Sequence, residues 1–224
     1  MTQLLLAAVV CALVEPVEVP APSPVAAPAQ LTLGARAGLA FPLGDAQSGT
    51  TLKKGIERGY PLELWAGWRI TPDFEAGLQG GYVPASVGSD RLDECSDRGV
   101  TCSAHLWRLA ARGEYSLRVP GWVSVPWGAA TLGWEWAMDR WELDAANWEK
   151  RSASGWLLGL EAGIDRPLSK IFEVGVFAGL SFGQYRALSV SGEWVGYAYS
   201  DSGAMPDPAV HGWLSVGLRG AFRL

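Results

Sequence analysis

Eight segments between Leu31 and Leu224 alternate with period two, one parity apolar in all of them and the other carrying the charges. In the first, Leu31, Leu33, Ala35, Ala37, Leu39 and Phe41 share one face, and Thr32, Gly34, Arg36 and Gly38 the other. Strict alternation marks a strand whose two faces meet different surroundings. Eight such strands, each with an uncharged face, predict an all-β chain: an eight-stranded antiparallel up-and-down transmembrane β-barrel.

The remaining segments are centred on residues 60–70, 74–82, 107–115, 126–136, 156–165, 172–183 and 214–224. Each has about 9–11 residues, enough to cross a bilayer when tilted. Their connections alternate long and short. Thr71-Pro72-Asp73, Pro120-Gly121 and Arg166-Pro167-Leu168-Ser169 mark tight turns. The long connections include an acidic stretch with Asp90, Asp93, Glu94 and Asp97, a segment with Trp141 and Trp148, and a longest loop of about Gln184 to Val210. This asymmetry is the pattern of membrane barrels, with long loops outside and short turns in the periplasm.

Aromatic residues of the apolar parity gather at the segment ends. Phe41, Tyr60, Tyr82, Trp107, Trp134, Trp136, Trp156 and Phe182 fall toward the long loops. Trp68, Phe74, Tyr115, Phe172 and Phe222 fall toward the short turns. Two girdles of rings at headgroup level are expected.

The N-terminus reads as an export signal covering residues 1–29. Leu4 to Val14 is a short apolar stretch, and Ala27-Pro28-Ala29 fits a small-x-small cleavage site. A disordered Pro-rich tail is the alternative. The mature barrel domain would then span residues 30–224. In an exported chain Cys95 and Cys102 are expected to form a local disulfide; two free thiols are the other reading. A net charge of -5 gives no sign of a nucleic-acid partner, and none is expected.

Alternation alone does not say which face is inside. A soluble lipocalin-like barrel would turn its apolar parity inward. The polar parity argues otherwise: it is glycine-rich and carries no lysine. Arg36, Arg69, Arg108, Arg112, Arg219 and Arg223 stand against Glu63, Glu75, Glu114, Glu135, Glu161, Asp165 and Glu173. Arginine forks pair bidentately with carboxylates and keep their charge when desolvated. These residues therefore predict an internal charge network in a lumen just wide enough for side chains to fill, not a narrow pore.

With these residues in place, the chain resembles the small outer-membrane β-barrel proteins of the OmpA/OmpX type from Gram-negative bacteria. The resemblance covers about Gln30 to Leu224 and rests on the eight strands, the Pro126–Trp136 segment PWGAATLGWEW and the final strand WLSVGLRGAFRL. It implies an outer-membrane location and makes that strand an assembly signal for the barrel-insertion machinery, with Gly217 and Phe222 at its glycine and aromatic positions. The chain departs in ending on Leu224, where a terminal aromatic is usual. It also carries no peptidoglycan-binding domain, so cell-wall anchoring is not implied.

Some barrels of this size modify lipid A with a histidine, a serine and a carboxylate near the outer rim. This chain has two histidines, His105 with lipid-facing parity and His211 with lumen-facing parity. Ser103, Ser202 and Asp201 are candidate companions, but no spacing singles them out. Both histidines are expected to be interfacial polar residues. The acidic second loop lacks the ligand spacing of a calcium site. No catalytic residue, cofactor or metal is expected. Lys53, Lys54 and Arg58 in the first loop could meet lipopolysaccharide phosphates. The expected protein is a monomer that serves envelope structure or surface interaction. Its partners would be the lipid bilayer and lipopolysaccharide, and its Trp-bearing loops would present a binding surface.

Overall fold

A computed structural model describes residues 30–224; the expected signal segment lies outside the described residues. In chain order the elements are β1 (Gln30–Gln47), β2 (Thr50–Thr51), α1 (Leu52–Gly55), β3 (Ile56–Gly59), β4 (Leu62–Arg69), β5 (Phe74–Val87), α2 (Ser89–Asp97), β6 (Thr101–Ser116), β7 (Val125–Asp144), β8 (Asn147–Pro167), β9 (Phe172–Trp194), β10 (Tyr197–Ala204) and β11 (Val210–Arg223).

Every strand pairing is antiparallel. Strands β3 and β4 form one stave, interrupted at Tyr60-Pro61. The ring runs β1, β3/β4, β5, β6, β7, β8, β9, β11, and closes where β11 pairs β1 from Thr32↔Arg223 to Gly44↔His211. Closure removes the sheet edges and satisfies the backbone within the ring. Two strands lie off it: β2 pairs the end of β1, and β10 pairs β9.

Burial fixes which face is inside. Arg36, Glu63, Glu75, Arg112, Glu114, Glu135, Asp165, Glu173 and Arg219 are buried. The other parity is open, with Leu64, Leu132 and Leu218 at 67%, 62% and 67% exposure. Apolar residues in register across neighbouring strands, such as Ala66↔Leu78↔Ala111↔Leu132↔Leu158, make this band continuous. A soluble monomer rarely exposes an apolar surface of that extent. The lipocalin alternative is thereby overturned, and the fold is a transmembrane β-barrel.

The girdle rings stand on this outer face. Trp68, Trp107, Tyr115 and Phe222 are about half exposed. Tyr82 and Trp107 face each other across β5 and β6 with ring centroids 4.7 Å apart, and Phe172 and Phe222 across β9 and β11 at 4.6 Å. Trp107 is in register with Trp136, and Trp134 with Trp156.

Three of the long connections differ from expectation. Strands β7, β8 and β9 have 20, 21 and 23 residues, far more than a bilayer requires. The segment with Trp141 and Trp148 is a hairpin extension, paired from Met138↔Ser152 to Asp144↔Asn147. Most of the supposed longest loop is the β9–β10 hairpin, in register from Ala187↔Ala204 to Trp194↔Tyr197. Its two-residue turn, Val195-Gly196, has φ of 52° and 79°, the geometry of a twist-matched hairpin. Beyond the girdle both faces of a strand meet water, so the apolar/polar alternation that marks a strand disappears.

The acidic second loop holds a helix, α2, and Cys95 is bonded to Cys102 at the start of β6. The first loop is not merely a solvated one. Leu52 of α1 and Ile56 of β3 turn inward and are buried at 5% and 7% exposure, while Lys53, Lys54 and Arg58 stay exposed.

Candidate functional site

The lumen holds a chain of ion pairs that runs from the short-turn end toward the extended end. At the turn end Arg219 of β11 donates to both oxygens of Asp165, at 2.6–3.1 Å, and to both oxygens of Glu114, at 2.7 and 2.9 Å. Trp127 Nε1 donates to Asp165 Oδ1 at 2.9 Å. Glu114 also accepts from Arg112 Nη2 at 2.6 Å, and Arg112 Nη1 donates to Glu161 at 2.6 Å. Glu161 takes a bidentate fork from Arg36, whose Nε bonds Glu63. Gln79 bridges Arg112 and Glu63 at 3.0 and 3.2 Å. Arg108 lies 3.9 Å from Glu63 and donates to Glu135 at 2.7 Å.

Glu135 ends the ladder. Its Oε1 accepts the Tyr185 hydroxyl at 2.7 Å and lies 3.1 Å from His211 Nε2, and the Tyr185 and His211 rings stack at 4.1 Å. His211 is not an interfacial rim residue, as the sequence suggested, but is sealed at 1% exposure. Ser103, Asp201 and Ser202 are exposed on β6 and β10, and no bond joins them to His211 among the described residues.

Two expected members stand apart. Arg69 donates to Gln30 Oε1 at 3.0 Å instead of to a carboxylate, and Glu75 makes no ion pair among the described residues. Arg69 lies at the mouth of the turn end, where a neutral side chain from the first residue of β1 reaches it first. Arg223 pairs with Glu173 beside the ladder.

Each ladder arginine also lies on an aromatic face. Arg219 stands 3.8 Å from the Trp127 ring and 5.1 Å from Trp65; Arg112 is 5.4 Å from both. Arg36 covers Phe177 at 4.7 Å and Arg108 covers Trp213 at 5.2 Å. Cation–π contact strengthens where water is excluded. Glycines make room for these rings. A Cβ on Gly34 would lie 2.0 Å from Trp65 Cζ2, and one on Gly163 would meet Trp127. Trp65, Trp127, Leu157, Phe177, Tyr185 and Trp213 all share the parity of the charges on their strands, though the sequence singled out only the charges. Their inward parity was the available signal.

Above the ladder Ala40, Leu52, Ile56, Val83, Ala104, Leu106 and Trp213 form an apolar cap. Between ladder and wall remains a cavity of about 30 Å³, bounded by Arg36, Glu63, Gln79 and Glu161 among others. That is room for about one water molecule.

Beyond the cap the extended strands and both helices enclose a cup of about 360 Å³. Its lining is mostly apolar, with Leu52, Ile56, Ala137, Ala153, Leu188 and Met205, and Tyr185 belongs to it. Lys54, Arg91, Asp139, Glu149 and Arg151 add charge. Trp141 is shared with an open hollow of about 560 Å³ and is flanked by Arg91, Arg151 and Arg98 at 4.9, 5.4 and 5.5 Å. Burial pushes the Asp139 carboxyl above the ordinary carboxylate range, against the pull of Arg91 and Arg151. Burial pushes Glu149 the same way, but the Tyr199 hydroxyl and Arg151 bonded to it prevail and hold it low.

A closed eight-stranded ring with a charged lumen and an apolar exterior has the architecture of small outer-membrane β-barrels of the OmpA/OmpX type. A major outer membrane protein from Thermus thermophilus shares this fold, with a TM-score of 0.63 and 14% identity across 88% of this chain and 99% of that one. Neisserial surface protein A matches with a TM-score of 0.48 and 12% identity over 85% and 95% of the two chains. Ail, the attachment invasion locus protein of Yersinia pestis, matches at 0.44 and 13%, over 88% and 97%. No protein-family model and no curated protein matches the sequence.

Proposed function

We propose that the chain is a non-enzymatic outer-membrane barrel with a closed interior, which displays its extended end outside the cell as a binding surface. The observation that carries this reading is the continuous ladder from Asp165 to Glu135 beneath the apolar cap, with a cavity of about 30 Å³ beside it. Hydrated ions need a wider path than one water site. His211 bonds a carboxylate, and among the described residues no serine, threonine or cysteine side chain bonds to it, which disfavours lipid A chemistry.

In this reading residues 1–29 direct export and are removed. Gly217 and Phe222 of β11 belong to the signal read by the insertion machinery, and the girdle rings meet the headgroups of the bilayer. Exposed Lys53 and Arg58 face lipopolysaccharide phosphates, while Lys54 lines the cup. In this reading the barrel works as a monomer, since its ring closes without a strand from a second copy.

The test combines two measurements. Purified protein in planar bilayers should show no conductance steps, and protease added to intact cells should cut the β9–β10 hairpin while the barrel stays whole. Steady conductance, or hairpins protected in intact cells, would overturn the reading.

A further inference from the structure

We propose that the cup at the extended end is a binding site for a free single-chain anionic amphiphile, its apolar chain in the cup and its acid group among Lys54 and Arg91. The inference rests on the outside orientation given above, since the cup must open to the aqueous side.

Three observations carry it. The cup has the size of a small-molecule site, at the lower end of the ~300–1,000 Å³ range. Its apolar lining is held open by regular structure, because Ala137 and Ala153 are in register across β7 and β8 and Leu188 follows on β9. Small residues at 137 and 153 keep the wall recessed. The third is charge. Arg151 is held by Glu149 at 2.7 Å, but Arg91 meets Asp139 only at 3.5 Å. Lys54 lines the cup and Arg98 stands beside it; neither makes an ion pair among the described residues. Glu94 lines the same hollow as Arg98, so these four cations face the three carboxylates of Glu94, Asp139 and Glu149, and the surplus at the mouth is one positive charge. An acid group would complete this set, whereas an ammonium group would be repelled.

The floor explains why a chain would stop in the cup. Leu52, Ile56 and Ala104 belong both to its lining and to the cap that closes the barrel. Chain length should therefore matter until the cup is full, at ~0.8 kcal/mol per buried methylene, or about fourfold in affinity.

The test is isothermal titration of the protein in lipid nanodiscs, with protein-free nanodiscs subtracted, using hexanoate, octanoate, decanoate, decanol and decylammonium. Saturable one-to-one binding of decanoate is expected, about 15-fold tighter than octanoate. Decylammonium should bind at least tenfold more weakly than decanoate. Ala153→Phe should abolish binding of decanoate and decanol alike. The pair Lys54→Gln and Arg91→Gln should weaken decanoate about tenfold and leave decanol unchanged. Decanoate heats equal to those of empty nanodiscs, equal affinity for decylammonium, or unchanged binding in Ala153→Phe would each overturn the proposal. A shift in gel mobility on boiling monitors the folded barrel in every variant. Loss of that shift in the wild type, or hairpins protected from protease in intact cells, counts against the outside barrel; its persistence without binding counts against the cup.

Discussion

Arg36 of β1 and Glu161 of β8, 125 residues apart in sequence, meet as a bidentate pair in the lumen, with Nη1 to Oε2 at 2.5 Å and Nη2 to Oε1 at 2.7 Å. Their strands are three steps apart around the ring, so the pair fastens two walls that share no hydrogen bond. Removing one member leaves the other charged and buried, which costs about 3–5 kcal/mol. Arg36→Met should destabilise by that amount in urea unfolding from lipid vesicles. Adding Glu161→Gln should cost less than the sum of the two single changes.

Trp65 and Gly34 form a second coupled pair. The ring occupies the place where any Cβ at position 34 would go. Gly34→Ala should destabilise by about 1–3 kcal/mol through overpacking. Trp65→Leu in the same chain should restore part of that loss, which the same unfolding assay reads. Additive losses would mean that the two residues are uncoupled.

The extended sheet should loosen in acid. Glu149 is held below its ordinary value of 4.5, so its charged form stabilises the fold. That contribution is complete above about pH 4.5 and is lost as pH falls through the lower folded value. Asp139 is raised above 3.8 and acts in the opposite sense, favouring the fold at low pH and losing that contribution as pH rises. Once exchange is corrected for its intrinsic pH dependence, the protection factors of the β7–β8 hairpin should therefore fall in acid by the Glu149 contribution. Glu149→Gln should flatten the response, and Asp139→Asn should make it steeper.

The barrel was legible because its wall separates lipid from a charged lumen. Leu64 and Glu63, adjacent in sequence, lie on opposite sides of one wall, and period two records that directly. The charge network was legible as composition, from six arginines and no lysine on one parity. Its partners were not. Arg36 and Glu161 become neighbours only through the closing register of β1 with β11, and no local pattern encodes that register. The extended end was least legible. Residues such as Arg140, Trp141 and Glu142 meet water on one side and a shallow cup on the other, so no parity stands out. Leu52 and Ile56 read as scattered apolar residues in a basic loop until α1 places them over the lumen.

The Cys95–Cys102 bond closes a short loop at the end of α2. By chain entropy such a loop contributes about 2.5 kcal/mol. The effect should stay local, because α2 lies outside the ring. Replacing both cysteines with serine should speed hydrogen exchange of α2 and the first residues of β6. The mobility shift on boiling should remain. Loss of that shift would mean that the bond supports the barrel itself.

If the lumen is closed as proposed, two seals in series close it, and they should be separable. The lower seal is the group of side chains meeting at Glu161, and the upper is the cap around Leu106 and Trp213. Arg36→Ala, Arg112→Ala and Glu161→Ala together clear the first and leave Glu63 and Glu114 as anions in the lumen. The cap still blocks passage, so this variant should be as silent as the wild type in planar bilayers. Trp213→Ala with Leu52→Ala opens the second seal alone and should also be silent. Combining both sets should give brief openings that favour cations, because the remaining ladder carries more carboxylates than arginines. Conductance from the lower set alone would show that the cap does not seal, and silence in the combined variant that something else closes the lumen.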